Sequence, residues 1–292
     1  MIRNLVFVAV LVLFSFNCFS QVNSVLVEDT ISPGKRKKWD ASLEIVSSYI
    51  WRGQSYGGNN ITLQPAINYA ITKKLTFGFW ASTNFKKDYY FPDGSTTNSY
   101  QEIDLSLTYE INKFLKIQVY DYYWPTVKKV DGISNNYFNY RNNSVQTVDA
   151  NLLLDFSETW KPLKITISTL LAGNDFRYDS YGNNPKQNFT TYIELCYSFE
   201  NIFEKVSKKT FQNINLEPVI GAVLNNQAQY YAAADYNKPS FINLGIKATR
   251  ELELSKHFSF PIYISYIHNA SVANTEQFGR NFVALGVKLI YQ

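Results

Sequence analysis

Glu102 and Asp104 stand two residues apart in a run, Tyr100 to Ile111, that alternates polar and apolar side chains. In a β-strand this spacing puts both carboxylates on one face. The same alternation places Glu44, Asp149, Lys164, Glu194, Glu217, Lys247 and Lys288 on the polar faces of other segments, and Arg52 ends the first of them. These ten residues are the candidate lining of a common interior. If that interior is wet, its acidic members favour cation passage, as rings of Asp and Glu do in pores. If it is closed, they form an ion-pair network instead. Arg52 reads either as a pore-lining cation at an outer rim or as an Arg paired with a neighbouring acid, with Gly53 starting a turn.

Other catalytic chemistry has little to build on. His268-Asn269-Ala270-Ser271 sets a base near a hydroxyl, but three residues along a strand end do not bring the two together, and no orienting acid accompanies them. One cysteine outside the leader, Cys196, and two distant histidines, His257 and His268, are too few for a tetrahedral zinc shell. No catalytic residue, metal or cofactor is expected.

The elements that must position these residues are strands. The 292-residue chain is 16% aromatic and 18% charged, with a mean hydropathy of −0.22. Outside the leader it has no apolar run of the length a membrane helix needs, and it is too rich in aromatic and β-branched residues for wholesale disorder. A net charge of +4 argues against a nucleic-acid partner.

Residues 1–20 read as a cleaved secretory signal: Arg3, the apolar run Leu5 to Phe14, then Cys18-Phe19-Ser20 before Gln21. Cys18 as an acylated residue is the competing reading, and Asn17 stands where that signal calls for a small side chain. Residues 21–38, ending in Lys35-Arg36-Lys37-Lys38, read as a flexible periplasmic tail.

From Trp39 to the end at 292, period-two alternation dominates. It marks strands at 40–52, 61–71, 74–84, 100–111, 115–123, 145–156, 163–172, 189–199, 214–224, 240–250, 259–268 and 281–291. Most are as long as a tilted membrane strand, about 9 to 11 residues. Their connections alternate between long ones rich in Gly, Asn, Asp, Ser and Tyr and mostly short ones. Segment 200–213 is the exception, read as a long turn or a short interfacial helix.

An even number of strands with this alternation implies an all-β fold: a single antiparallel transmembrane barrel of about 12 strands, with long extracellular loops and short periplasmic turns. One face of each segment is nearly free of charge, as Leu105, Leu107, Ile117, Val119, Leu285 and Leu289 show, and a charge there would cost about 2–4 kcal/mol at the bilayer midplane.

Aromatics gather near the strand ends, where amphipathic rings favour headgroups. The expected outer girdle holds Tyr49, Trp51, Tyr89, Tyr90, Tyr122, Tyr123 and Trp124; the inner one holds Trp39, Phe114, Phe156, Trp160, Phe199, Phe258 and Tyr291. Pro65, Pro218 and Pro261 fall inside expected strands and require bulges or shifted boundaries, since proline cannot donate to a ladder.

Ser48-Tyr49-Ile50-Trp51-Arg52-Gly53-Gln54-Ser55 resembles the opening motif of the Gcw_chp family of bacterial outer-membrane proteins. Pro65 to Tyr69, Gly78 to Ser82 and Glu102 to Leu105 resemble the next three blocks, in order. The resemblance covers about the first third of the expected mature chain. It implies an exported β-barrel and assigns no activity.

The expected location is the bacterial outer membrane. The expected partners are its lipid, the barrel-insertion machinery during biogenesis and a small polar solute. The first functional reading is a narrow channel or passive transporter for small polar or cationic solutes. A second is a non-conducting structural or binding envelope protein acting through its extracellular loops, and a third is an outer-membrane hydrolase.

Overall fold

The computed structural model describes residues 38–291 apart from 57, 85–88, 91–95, 98–99, 126–131, 142–143, 159–160, 204–212, 232–239 and 272–278. The expected signal segment and almost all of the tail, together with most of segment 200–213, lie outside the described residues.

Twelve long strands form the wall: β1 Trp39–Val46, β2 Thr62–Ala70, β3 Leu75–Asn84, β4 Gln101–Asn112, β5 Leu115–Tyr123, β6 Gln146–Asp155, β7 Leu163–Gly173, β8 Thr191–Tyr197, β9 Ile214–Val223, β10 Ser240–Arg250, β11 Ile262–His268 and β12 Asn281–Tyr291. Each pairs antiparallel with the next, and β12 pairs back onto β1 from Ala41↔Tyr291 to Val46↔Gly286. The sheet is therefore a closed antiparallel barrel.

Closure gives the alternation its meaning. Leu43, Ile45, Ile67, Phe77, Leu107, Ile117, Val119, Leu195, Ile220, Ile246, Leu285 and Leu289 are exposed. Their strand neighbours Gln64, Asn68, Ser106, Thr108, Gln118, Glu194 and Ser265 are buried. An exterior of exposed aliphatic side chains around a buried polar interior inverts a soluble core, and it is the arrangement of a membrane-spanning barrel.

At the end carrying the short turns, Trp39 and Phe258 pack on the Tyr291 ring, with centroids 4.9 and 5.2 Å away. Phe114 stacks on Phe156 at 5.9 Å. These five rings belong to the expected inner girdle, of which Trp160 lies outside the described residues.

The prolines lie where the ladder gives way. Pro65 keeps its register with Leu43 of β1, while the β2–β3 pairing lapses between Leu63↔Thr83 and Ala66↔Trp80. Pro218 pairs with Ile246, while β8–β9 lapses beyond Cys196↔Val219 and resumes at Phe199↔Leu216. Pro261 precedes β11 and only accepts, from the Lys288 N–H at 3.0 Å. Each missing donor coincides with an interruption or a strand start.

The first segment departs from expectation. Regular pairing with the wall ends at Val46, and the chain turns into the barrel as a separate ribbon, Tyr49–Trp51 paired with Gln54–Tyr56. A bulge in β10, where Phe241 pairs with Ala222 and Asn243 with Gly221, leaves Ile242 unpaired in the ladder. Ile242 and Asn243 are consequently both buried.

Leu107→Arg tests the assignment of faces. Refolded into lipid vesicles and unfolded with urea, this variant is expected to lose about 2–4 kcal/mol. An unchanged midpoint would show that the exposed face does not meet lipid.

Candidate functional site

Arg52 and Gly53 form the two-residue tip of the inward ribbon, with φ of +45° and +82°. Two consecutive left-handed residues are what a type I′ hairpin requires, and Asn-Gly is its usual sequence because an Arg pays for that backbone in strain. A Cβ on Gly53 would run into the carbonyl of Ile242, so glycine is demanded by space as well as by φ. The backbone of the tip rests inside the wall near β10 and β11, where Asn269 Nδ2 donates to the Gly53 carbonyl at 2.8 Å.

The Arg52 side chain is 1% exposed. Its Nη1 donates to Ser168 Oγ of β7 at 2.7 Å and to the Tyr231 hydroxyl at 2.5 Å. Its Nη2 donates to Asp149 Oδ2 at 3.1 Å and Asn151 Oδ1 at 3.0 Å, both on β6. Asp149 also accepts from the Tyr122 hydroxyl at 3.0 Å and from Ser168 Oγ at 2.6 and 2.7 Å. The guanidinium carbon lies 4.6 Å from the Trp51 ring centroid and 4.8 Å from that of Tyr192. A cation taken this far from water survives only when paired and bonded, and here a carboxylate, three neutral acceptors and two ring faces provide that.

Around the ribbon the outer half of the lumen is filled with rings. Trp51 stacks on Tyr231 at 5.5 Å, Tyr231 on Tyr192 at 5.7 Å and Tyr56 on Trp124 at 5.7 Å. Tyr49 packs against Trp80 and Tyr100 at 5.6 and 5.7 Å. Tyr230 and Tyr231 come from a short 3-10 turn, Gln229–Tyr231, that dips in from an outer loop. Burial pushes both of their hydroxyls up, so they stay protonated.

The ten candidate residues divide into two levels. Arg52 and Asp149 form the central pair. Glu102 accepts from the Tyr100 hydroxyl at 2.7 Å and is buried with Asp104. Glu194 accepts from Tyr192 and, at 2.8 Å, from Asn243 Nδ2.

Nearer the short turns, Glu44 accepts from Tyr263 and pairs with Lys288 at 3.7 Å, their side chains 13% and 12% exposed. Lys247 sits 4.5 Å over the Tyr263 ring and in register with Glu217, which accepts from Ser198 at 2.7 Å. Lys164 pairs with Asp155 at 3.3 Å, both 29% exposed. The interior is therefore closely packed and aromatic toward the long loops, while toward the short turns the charges of Glu44, Lys288, Lys164 and Asp155 are partly exposed.

Two sequence expectations need correction. Arg52 is not at a rim but inside. Tyr49, Trp51 and Tyr122 are not girdle residues: they are 3%, 2% and 2% exposed, within the lumen. Trp124 packs against them there, and the side chains of Tyr89 and Tyr90 lie outside the described residues. Tyr230 and Tyr231 belong to the same lumen filling. Alternation could not reveal this, because an inward ribbon and a wall strand share the same period; the signal available was Arg-Gly, a two-residue turn, flanked by Tyr and Trp.

Of the loop 124–144, Tyr137 and Tyr140 donate to Asp121 Oδ2 at 3.0 and 3.1 Å, tying it to the rim. The His268 ring meets Asn281 Oδ1 at 2.9 Å, while Ser271 is buried. Among the described residues no three His, Cys, Asp or Glu side chains gather as a metal site.

Partial desolvation, with Asp121 as acceptor, pushes the Tyr137 hydroxyl up to about 12. A raised folded-state value means that this contact stabilises fully below the free tyrosine value, near 10, and is lost as pH climbs from about 10 to 12. Cleavage of the loop by an alkali-tolerant protease is expected to accelerate over that window, and to be fast at pH 8 already in Asp121→Asn.

Removing one member of the central pair strands the other. Arg52→Ala is expected to cost about 3–5 kcal/mol of urea stability in vesicles, and adding Asp149→Asn should recover part of it. Strict additivity of the two losses would mean that the pair is not coupled.

No family model matches this chain, and no curated protein is similar to it in sequence. Among solved structures it is similar to the NanC porin (TM-score 0.48, 7% identity, covering 87% of this chain and 99% of that one). It is also similar to the COG4313 outer membrane channel from Pseudomonas putida F1 (TM-score 0.44, 9%, 87% and 94%) and to LpxR from Salmonella typhimurium (TM-score 0.43, 7%, 86% and 99%). None reaches a TM-score of 0.5, so these likenesses say nothing of what this chain carries or does.

Proposed function

We propose that this chain is a bacterial outer-membrane barrel whose lumen is closed by its own first hairpin, a non-conducting envelope protein that acts through its outer surface. The observation that carries this reading is the buried Arg52, held by β6 and β7 from a ribbon that starts at β1. The plug is thus tied to the wall on the opposite side of the barrel. A hydrated solute would have to displace a desolvated ion pair and the ring stack around it, and both resist water.

The second reading, a narrow channel for small polar or cationic solutes, is favoured by one feature. Glu102, Asp104, Asp149 and Glu194 outnumber the cations of the outer half, so a lumen freed of its hairpin would attract cations. In that case the hairpin would be a gate.

Conductance of the refolded barrel in a planar bilayer under a salt gradient separates the two. The native barrel is expected to be silent. Replacing Tyr49–Tyr56 by a short Gly-Ser turn should produce discrete, cation-preferring steps, and the full-length pair Arg52→Ala with Asp149→Asn should produce rarer ones. Steady steps from the native barrel would overturn the closed reading.

A further inference from the structure

Outside the lumen, the connection between β7 and β8 carries a short antiparallel ribbon, Phe176–Arg177 paired with Lys186–Gln187, in which Arg177 and Lys186 are direct cross-strand partners. Like charges placed opposite each other destabilise a ribbon. Among the described residues neither takes part in an ion pair, and both are exposed.

The two neighbouring carboxylates are already engaged. Asp175 is buried and accepts from the N–H and hydroxyl of Thr190 at 2.8 and 2.5 Å and from Gln187 Nε2 at 3.3 Å. Asp179 accepts from the N–H groups of Tyr181 and Asn183 at 3.0 and 2.8 Å and from Asn184 Nδ2 at 2.8 Å.

Arg177, but not Lys186, lines a cavity of about 250 Å³ together with Asn188, Asn225, Asn226 and Gln227. Its walls are built in advance. Asn188 Nδ2 donates to the carbonyls of Asn226 and Gln227 at 3.1 and 3.3 Å, Asn225 Nδ2 donates to the Asn188 carbonyl at 3.2 Å, and Gln227 Oε1 accepts from the Tyr178 N–H at 2.9 Å. Phe189 and Gln227 hold φ of +52° and +54°, a left-handed conformation that strains non-glycine residues and persists only where the surroundings impose it. The Asn226 side chain is exposed at the cavity.

We propose that this cavity is an anion site. It takes a phosphate-type oxyanion on the Arg177 guanidinium, with the Asn226 amide as a second donor and Lys186, the cross-strand partner of Arg177, adding its charge from beside the cavity. A guanidinium offers two parallel N–H groups to such an anion and a lysine offers a point charge, and the bound anion would remove the like-charge repulsion within the ribbon. The proposal does not depend on whether the lumen conducts, because the site lies in an outer connection.

The test is calorimetry on the refolded barrel in zwitterionic micelles at low salt, with inorganic phosphate in one arm and lipopolysaccharide, a lipid that bears phosphate, in the other. Saturable binding of phosphate assigns the site to a free anion, and binding in the lipid arm alone assigns it to a headgroup. In the supported arm Arg177→Gln with Lys186→Gln should weaken binding at least about tenfold, and Asn226→Ala a few-fold.

The double variant, freed of repulsion, should also melt no lower than the native barrel in the absence of phosphate, which separates lost binding from lost folding. Absence of saturable binding in both arms, or native-like binding by the double variant, would overturn the proposal.

Discussion

In a bilayer no water reaches the strand backbone, so every N–H and C=O at that depth must find a partner within the protein. The contact that meets this demand for the whole sheet is β12 on β1, six register pairs from Ala41↔Tyr291 to Val46↔Gly286. Without it two edges would face lipid. With it, the alternation of each strand becomes an outside and an inside. The same demand explains why the prolines stand where the ladder is interrupted or begins, as Pro65, Pro218 and Pro261 do.

Closure creates a second problem. A barrel of twelve strands lies between those that wall side chains fill and those that leave an open channel. Here the outer half is filled by chain that leaves the wall: the Tyr49–Tyr56 ribbon and the Gln229–Tyr231 turn. Both bring aromatic rings, which occupy volume with few rotatable bonds. Arg52 supplies direction to this filling, because a buried guanidinium has few places where both of its terminal nitrogens find acceptors. Asp149, Asn151, Ser168 and Tyr231 together make one. The strain of an Arg in the left-handed region is thereby offset by contacts that only an Arg at that tip can make.

The two ends of the interior differ for the same reason. Where the ribbon is present, carboxylates such as Glu102 and Glu194 are enclosed and bonded to tyrosines and an amide. Toward the short turns none of the described residues leaves the wall to fill the lumen, and the charges meet as ordinary pairs in partial contact with water, as Glu44–Lys288 and Lys164–Asp155 do. The block Ser48 to Ser55 is the plug itself, with its turn at Arg52 and Gly53.

Period-two alternation, strand length and the long-short rhythm of connections are local properties, and the sequence alone determined from them an antiparallel barrel of twelve strands, its apolar exterior and the inner belt of Trp39, Phe258 and Tyr291. Lumen membership of Glu44, Glu102, Asp104, Asp149, Glu194 and Glu217 was legible for the same reason: facing is decided by parity within one strand. The fate of Tyr49, Trp51 and Arg52 was not. Their alternation is equally good for a wall strand and for an inserted ribbon, and the choice between them is made by groups 97, 116 and 179 residues away along the chain. Only the tertiary structure brings Asp149, Ser168 and Tyr231 to one point, and a buried cation goes where such partners converge.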